Sequence, residues 1–304
     1  MSGEEEQTES VTVNIGEWVE KARADPQAYH ERQATEVFLT TLGMIQSYRH
    51  QVFLKGGILM GVVYGSPRQT GDLDFTARLD PEPGIADDFK KELDAVFPRA
   101  TAELGYPELI CAVQSCKYLP NAKRFPKAEG PALELKVAYA NRGTRQADML
   151  EKGRAANVLR VDISFREPVG AIQIVNLADT GGSFYAYSLI DLMAEKLRAL
   201  LQQEKRNRYR RQDIYDLDAL LMRFSLDEDE KSRLCEVLLE KCRARHIEPG
   251  PKSLSQPEII RRAKEEWQTL ELEIGEVPDF DECFARVDAF YRELPWDAKN
   301  DEGK

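Results

Sequence analysis

Two aspartates separated by a single leucine, Asp72 and Asp74, sit in the otherwise apolar run DLDF at residues 72–75. Successive side chains of a strand leave opposite faces, so this spacing sets both carboxylates on one face while Leu73 and Phe75 enter a core. Like charges that close disfavour joint ionisation and call for a proton or a cation between them. A divalent ion such as Mg²⁺ suits the pair, because it takes hard oxygen ligands and keeps positions for water and phosphate. Taken alone, the pair more often describes a strand end facing water. A third acid, Asp162, stands in VLRVDISF, with Val161 and Ile163 directed to the opposite side. If the two strands are neighbours, three carboxylates converge, and such a set can hold two metals about 3.5–4 Å apart for an in-line displacement.

Groups suited to phosphate surround these acids in sequence. Gly56 and Gly57 follow Lys55; without Cβ atoms they let triphosphate oxygens approach the backbone at the start of a helix, or they serve close packing of a turn. Lys55 reads equally as a phosphate contact or an ion-pair partner. In DLMAEKLRALL, Lys196 borders an apolar face of Leu189, Leu192, Met193, Leu197 and Leu200, which reads as a helix-surface charge suited to triphosphate. Downstream, KRNRYRRQD gathers Lys205, Arg206, Arg208, Arg210 and Arg211 around Tyr209. Such a run can grip RNA phosphates and stack a base, or form a solvated face. His30, His50 and His246 are scattered and suggest no metal set or hydrolase triad.

The elements that must position these groups divide the chain. Its 304 residues, 42% apolar with mixed charge, have room for two globular domains. A net charge of -11 disfavours a surface built to coat nucleic acid and leaves room for a local basic patch. Helical spacing covers residues 16–47. A glycine turn then enters a buried helix, and the short strand DLDFTARL follows a loop at Gly65–Pro67. Four stretches between residues 108 and 178 are rich in β-branched or aromatic residues and read as strands. After Tyr187 the pattern is helical, opening with Ser188 as N-cap and Asp191 in the capping-box position. The expected organisation is an acidic disordered segment 1–15, an α/β domain 16–186 and a helical domain 187–304. Five cysteines without a CxxC pair, a leading segment unlike a signal peptide and no membrane-length apolar run point to a cytoplasmic protein with reduced thiols.

The order Lys55-Gly56-Gly57, RQTGDLDF, RVDI, LMAEKLRALLQQ and RRQDIYDLDALL resembles the AbiEii/AbiGii toxin nucleotidyltransferases of the DNA polymerase β-like superfamily. The resemblance implies an α+β fold: a polymerase β-like core with a mixed sheet, followed by a C-terminal helical bundle. It implies that Asp72 and Asp74 bind metal with Asp162 as third catalytic carboxylate, that Lys196 meets the triphosphate, and that Asp213 positions groups or moves a proton. Lys55, Gly56, Gly57, Arg68, Thr70, Lys196 and Arg211 fall to the nucleotide, and Lys205, Arg206, Arg208 and Arg210 to RNA. Arg68, Thr70 and Asp72 occupy the family's R-x-S-x-D positions, with Thr for Ser. Where the family often carries Arg before its later aspartate, this chain has Gln212, and Arg211 lies one place earlier. Asp216 is then suited to holding Arg211 or Arg208 as much as to touching substrate. The implied activity is NMP transfer from an NTP, with Mg²⁺ or Mn²⁺, to a tRNA 3′ end by a toxin paired with an antitoxin. Alternatives are NMP transfer to a protein hydroxyl and a nucleotide-binding module without turnover.

Overall fold

The computed structural model describes residues 8–68 and 70–296. Their contacts fall into two units, one formed by residues up to 63, 70–167 and 172–186, the other by residues 64–68, 168–171 and 187–296. The second unit thus takes two short segments from within the α/β part of the chain.

The first unit is built on a mixed sheet. Its described strands are β1 (Glu9–Val13), β2 (Val52–Lys55), β3 (Asp72–Ala77), β4 (Leu109–Leu119), β5 (Ala132–Asn141), β6 (Val158–Phe165), β7 (Ile172–Leu177) and β8 (Ser183–Tyr187), in the order β1-β7-β8-β2-β3-β6-β5-β4. Strands β4 to β7 coincide with the four β-rich stretches. The disordered segment expected over 1–15 is corrected from residue 9 onward: Glu9–Val13 pairs in parallel with β7 and buries Val13. Residues 1–7 lie outside the described residues.

Helices of this unit are α1 (Ile15–Glu20), α2 (Pro26–Met44), α3 (Gln46–Arg49), α4 (Gly56–Val62), α5 (Ile85–Glu103) and α6 (Arg145–Glu151). Helix α2 begins at Pro26 behind Asp25, whose carboxylate accepts from the backbone N–H of Gln27 and Ala28, satisfying donors that a helix start leaves free. Alternation decides the sheet's faces. Leu73, Phe75, Val161, Ile163, Leu133, Leu135 and Val137 are fully buried, and the Phe38 ring of α2 meets Phe75 at 5.7 Å and Phe97 of α5 at 6.4 Å. The intervening residues of β3, β6 and β5, including both aspartates of the DxD pair, are directed to the opposite face.

The second unit holds α7 (Leu189–Gln202), α8 (Arg211–Arg223), α9 (Glu228–Arg243), α10 (Pro257–Lys264), α11 (Glu271–Ile274) and α12 (Phe280–Glu293). Ser188 caps α7 by accepting from the Asp191 N–H at 3.4 Å. The reciprocal half of the expected capping box is absent, because the Asp191 carboxylate turns elsewhere. It accepts from the backbone N–H of Gly170 at 2.5 Å and of Ala171 at 2.8 Å, and pairs with Lys241 at 2.6 Å. Lys241 also donates to the Pro168 carbonyl and lies over the Tyr187 ring. No described helix is long and apolar enough to cross a membrane.

Candidate active site

Strands β3 and β6 are parallel neighbours, with Asp74 directly opposite Asp162 and Asp72 opposite Arg160. The condition placed on Asp162 is therefore met in the backbone register, and one face carries three aspartates on adjoining strands. The same row extends to Lys55 of β2, opposite Asp74, and to Glu134 of β5, opposite Asp162. Two acids that sequence reading missed join the cluster. Glu134 raises the proton affinity of Asp162, and Glu31 of α2 lies beside Gly71, whose added Cβ would meet its Oε1 at 2.4 Å.

The electrostatics register this crowding. Burial first, then the Glu134 and Asp72 carboxylates, push the Asp162 carboxyl above the usual range, with Lys55 and Arg160 opposing. Burial, with Asp72 adding to it, raises Glu31 as well. Lys55 is buried and forms an ion pair with Glu167, which also accepts from the Thr76 hydroxyl at 3.0 Å.

Gly56 opens α4 with a φ of 74° and lies so close to Asp74 that a Cβ there would meet Asp74 Oδ2 at 2.4 Å. The glycine thus admits a carboxylate against the backbone. Gly56→Ala is expected to destabilise the fold by about 1–3 kcal/mol through the left-handed conformation and the clash, and to displace Asp74. Denaturant unfolding together with transfer activity measures both, and a variant normal in both would remove the glycine from the site's architecture.

Within the second unit, Lys196 is not the surface charge expected. It is buried, pairs with Asp216 at 2.6 Å and contacts Asp213 at 3.3 Å. Burial alone would pull its pKa down, but Asp216 and Asp213 outweigh this and hold it above the ordinary lysine value. Arg68 donates to both Asp216 oxygens at 3.1 Å and to Glu273 at 3.2 Å. Asp216 therefore holds Lys196 and Arg68 rather than Arg211 or Arg208. A usable signal existed: Lys196 lies three residues after Met193 and four after Leu192, inside the apolar stripe rather than beside it.

The basic run is partly engaged within its own unit. Lys205 donates to the Arg245 carbonyl, Arg210 lies 3.7 Å from Asp213, and Arg211 is 3.3 Å from Glu266. Arg206 and Arg208 are exposed, and Tyr209 lies under Arg262. Thr70 is half-buried in the first unit beside Gly71.

A divalent metal suits the donor chemistry on the sheet face. Asp72, Asp74 and Asp162 are hard-oxygen groups, and Asp162 is raised first by burial and then by the neighbouring carboxylates. Among the described residues no three acidic, histidine or cysteine side chains converge on one point. Mg²⁺ sites that recruit substrate phosphates typically need only one or two carboxylates.

The sequence pattern of the family described as nucleotidyl transferase AbiEii toxin, type IV toxin–antitoxin system, matches residues 38–286. The chain belongs to this family. This AbiEii member is a nucleotidyltransferase with a mixed-sheet α+β fold. MenT4, a nucleotidyltransferase toxin from Mycobacterium tuberculosis H37Rv, is similar in fold at a TM-score of 0.55 and 17% identity, over 92% of this chain and 90% of its own. JHP933 from Helicobacter pylori is similar at a TM-score of 0.50 and 15% identity, over 89% and 92%. No curated protein matches the chain. The matched span of the AbiEii family covers the aspartates of β3 and β6 as well as the Lys196–Asp216 cluster.

Proposed function

We propose that this AbiEii toxin transfers a nucleoside monophosphate from an NTP to the 3′ end of a tRNA, releasing pyrophosphate, and is neutralised by a cognate antitoxin. The observation that carries the reading is the register of Asp74 against Asp162, with Gly56 closed on Asp74. Mg²⁺, or Mn²⁺ in its place, is assigned to Asp72, Asp74 and Asp162, one or two of which would ligate it directly. Such an ion supplies Lewis-acid polarisation of the phosphate and neutralises developing charge. The triphosphate is placed at the β2 side of the acids, beside Lys55, Gly56 and Gly57. Asp162, directly opposite Asp74, is the carboxylate assigned to accept the proton of the attacking hydroxyl. Lys196 and Asp213 are assigned to the nucleotide on family grounds. Thr70 and Arg211 are further nucleotide contacts, while Arg68 acts through Asp216.

Incubation with each labelled NTP, Mg²⁺ and total RNA or cell lysate tests the proposal. Label on tRNA that is removed by trimming the 3′ end is the expected outcome. Label on protein alone would favour NMP transfer to a side-chain hydroxyl, and no label with any NTP would favour binding without turnover.

A further inference from the structure

We infer that Arg160 and Lys136 hold the backbone of the incoming RNA acceptor and set the side from which its 3′ hydroxyl reaches the carboxylates. The inference rests on the nucleotidyltransferase reading above and on placement of the triphosphate at Gly56 and Gly57. Strand register puts Asp72, Arg160 and Lys136 in one row across β3, β6 and β5. Residues directly opposite on neighbouring strands share a face, so the two cations stand on the same face as the acids, at successive strand spacings of about 4.8 Å. Arg160 is exposed, Lys136 is half-buried, and neither belongs to a salt bridge among the described residues.

Direction follows from the order of strands. The glycines and Lys55 lie on the β2 side of the aspartates, and Arg160 and Lys136 on the β6–β5 side. In-line displacement requires the attacking oxygen to enter opposite the leaving pyrophosphate. A triphosphate on the β2 side therefore brings the acceptor across β6 and β5. An RNA end approaching five carboxylates, Glu31, Asp72, Asp74, Asp162 and Glu134, meets repulsion that needs local cations to offset it. On the other side of the acid row, Lys117 of β4 stands opposite Glu134 and pairs with it at 3.9 Å, and the loop joining β4 to β5 exposes Lys123, Arg124 and Lys127. The Arg166 guanidinium anchors that loop by donating to the Pro126 and Ala128 carbonyls. Arg160 and Lys136 on one side of the Asp74–Asp162–Glu134 row and the hairpin cations on the other flank the acids with positive charge, in a chain of net charge -11, and match a polyanion.

Binding of a fluorescent RNA hairpin with a single-stranded 3′ end, measured across a salt series, tests this independently of turnover. Arg160→Ala with Lys136→Ala is expected to weaken binding about tenfold near physiological salt. It should also lower the log-log salt slope by about 1.4, at 0.7 for each lost single-strand phosphate contact. Arg160→Lys should restore most of that slope, since the charge is retained. An unchanged slope in the double variant, or no RNA binding by the wild type, overturns the assignment. So does a rise in the KM for NTP without loss of RNA affinity, which would put both cations at the nucleotide. If RNA binds with the expected slopes while the wild type labels only protein, the acceptor proposed above fails and the polyanion surface stands.

Discussion

Asp72→Ala is expected to abolish NMP transfer, by about a thousandfold or more, in a protein that folds at least as well as the wild type. The loss follows from removing a ligand whose ion supplies several kcal/mol of transition-state stabilisation, at 1.36 kcal/mol per tenfold in rate. Folding should not suffer because Asp72 is exposed and fills no core space. Its charge also pushes Asp162 up, so removing it lets the Asp162 pKa fall toward the ordinary carboxylate range. The sign of the pH effect then follows. A carboxyl raised in the folded state contributes stability below its unfolded pKa, and this is lost as pH rises through the folded value. Wild-type protein without metal should therefore lose stability as pH rises above the usual carboxylate range, and Asp72→Ala should flatten that decline. Mg²⁺ should raise the wild-type Tm by mass action and do so less in the variant. Asp74→Ala should lose activity to a similar extent. Full transfer by either variant would remove the carboxylates from the chemistry.

Asp216→Ala is expected to be the most damaging single change to the second unit, at about 3–5 kcal/mol, because it takes from buried Lys196 and half-buried Arg68 the carboxylate they share, leaving each a single acidic contact. Asp216 is fully buried, and both Lys196 and the Arg68 guanidinium point at it. Burial alone would raise its pKa, yet Lys196 and Arg68 outweigh this and hold it below the ordinary aspartate value. The stability it confers is present above the unfolded carboxylate pKa, about 3.9, and is lost as pH falls through the lower folded value. Urea unfolding at neutral pH should show the full deficit, and the gap between wild type and variant should close only in strong acid. A variant that unfolds at the wild-type denaturant concentration would mean that solvent already satisfies these cations. The same geometry revises what Lys196→Ala should do. Beyond any effect on NTP use, it removes a buried charge from Asp216, so a loss of stability accompanies the loss of function.

What the chain's residues disclosed in advance was local and periodic. Asp72, Leu73, Asp74 and Phe75 alternate by solubility, and so do Val161, Asp162 and Ile163; strand geometry alone turns that alternation into a face. The site's other members arrive by tertiary routes with no local signature. Glu31 sits far upstream on α2, and only the packing of that helix brings it to Gly71. Glu134 was visible as a polar residue of β5, but its place beside Asp162 depends on which strand pairs with which. Lys196 was misjudged because a lysine is rarely fully buried unless paired, and its partner Asp216 lies a helix away. β1 was masked by the acidic residues before it, although Val11 and Val13 alternate with polar neighbours.

The short segments 64–68 and 168–171 bear on how this chain could be cut or recombined. Asp191 draws its N–H partners from Gly170 and Ala171, and Asp216 draws a guanidinium from Arg68. A gene fragment opening at residue 187 would encode every described helix from α7 to α12 and none of those three donors. Two buried carboxylates would then lose partners at once, so the helical half is not an exchangeable cassette. Any shuffling that preserved it would have to carry along two short pieces of sequence embedded in its neighbour, and homologous exchange of whole genes is the route that satisfies this constraint.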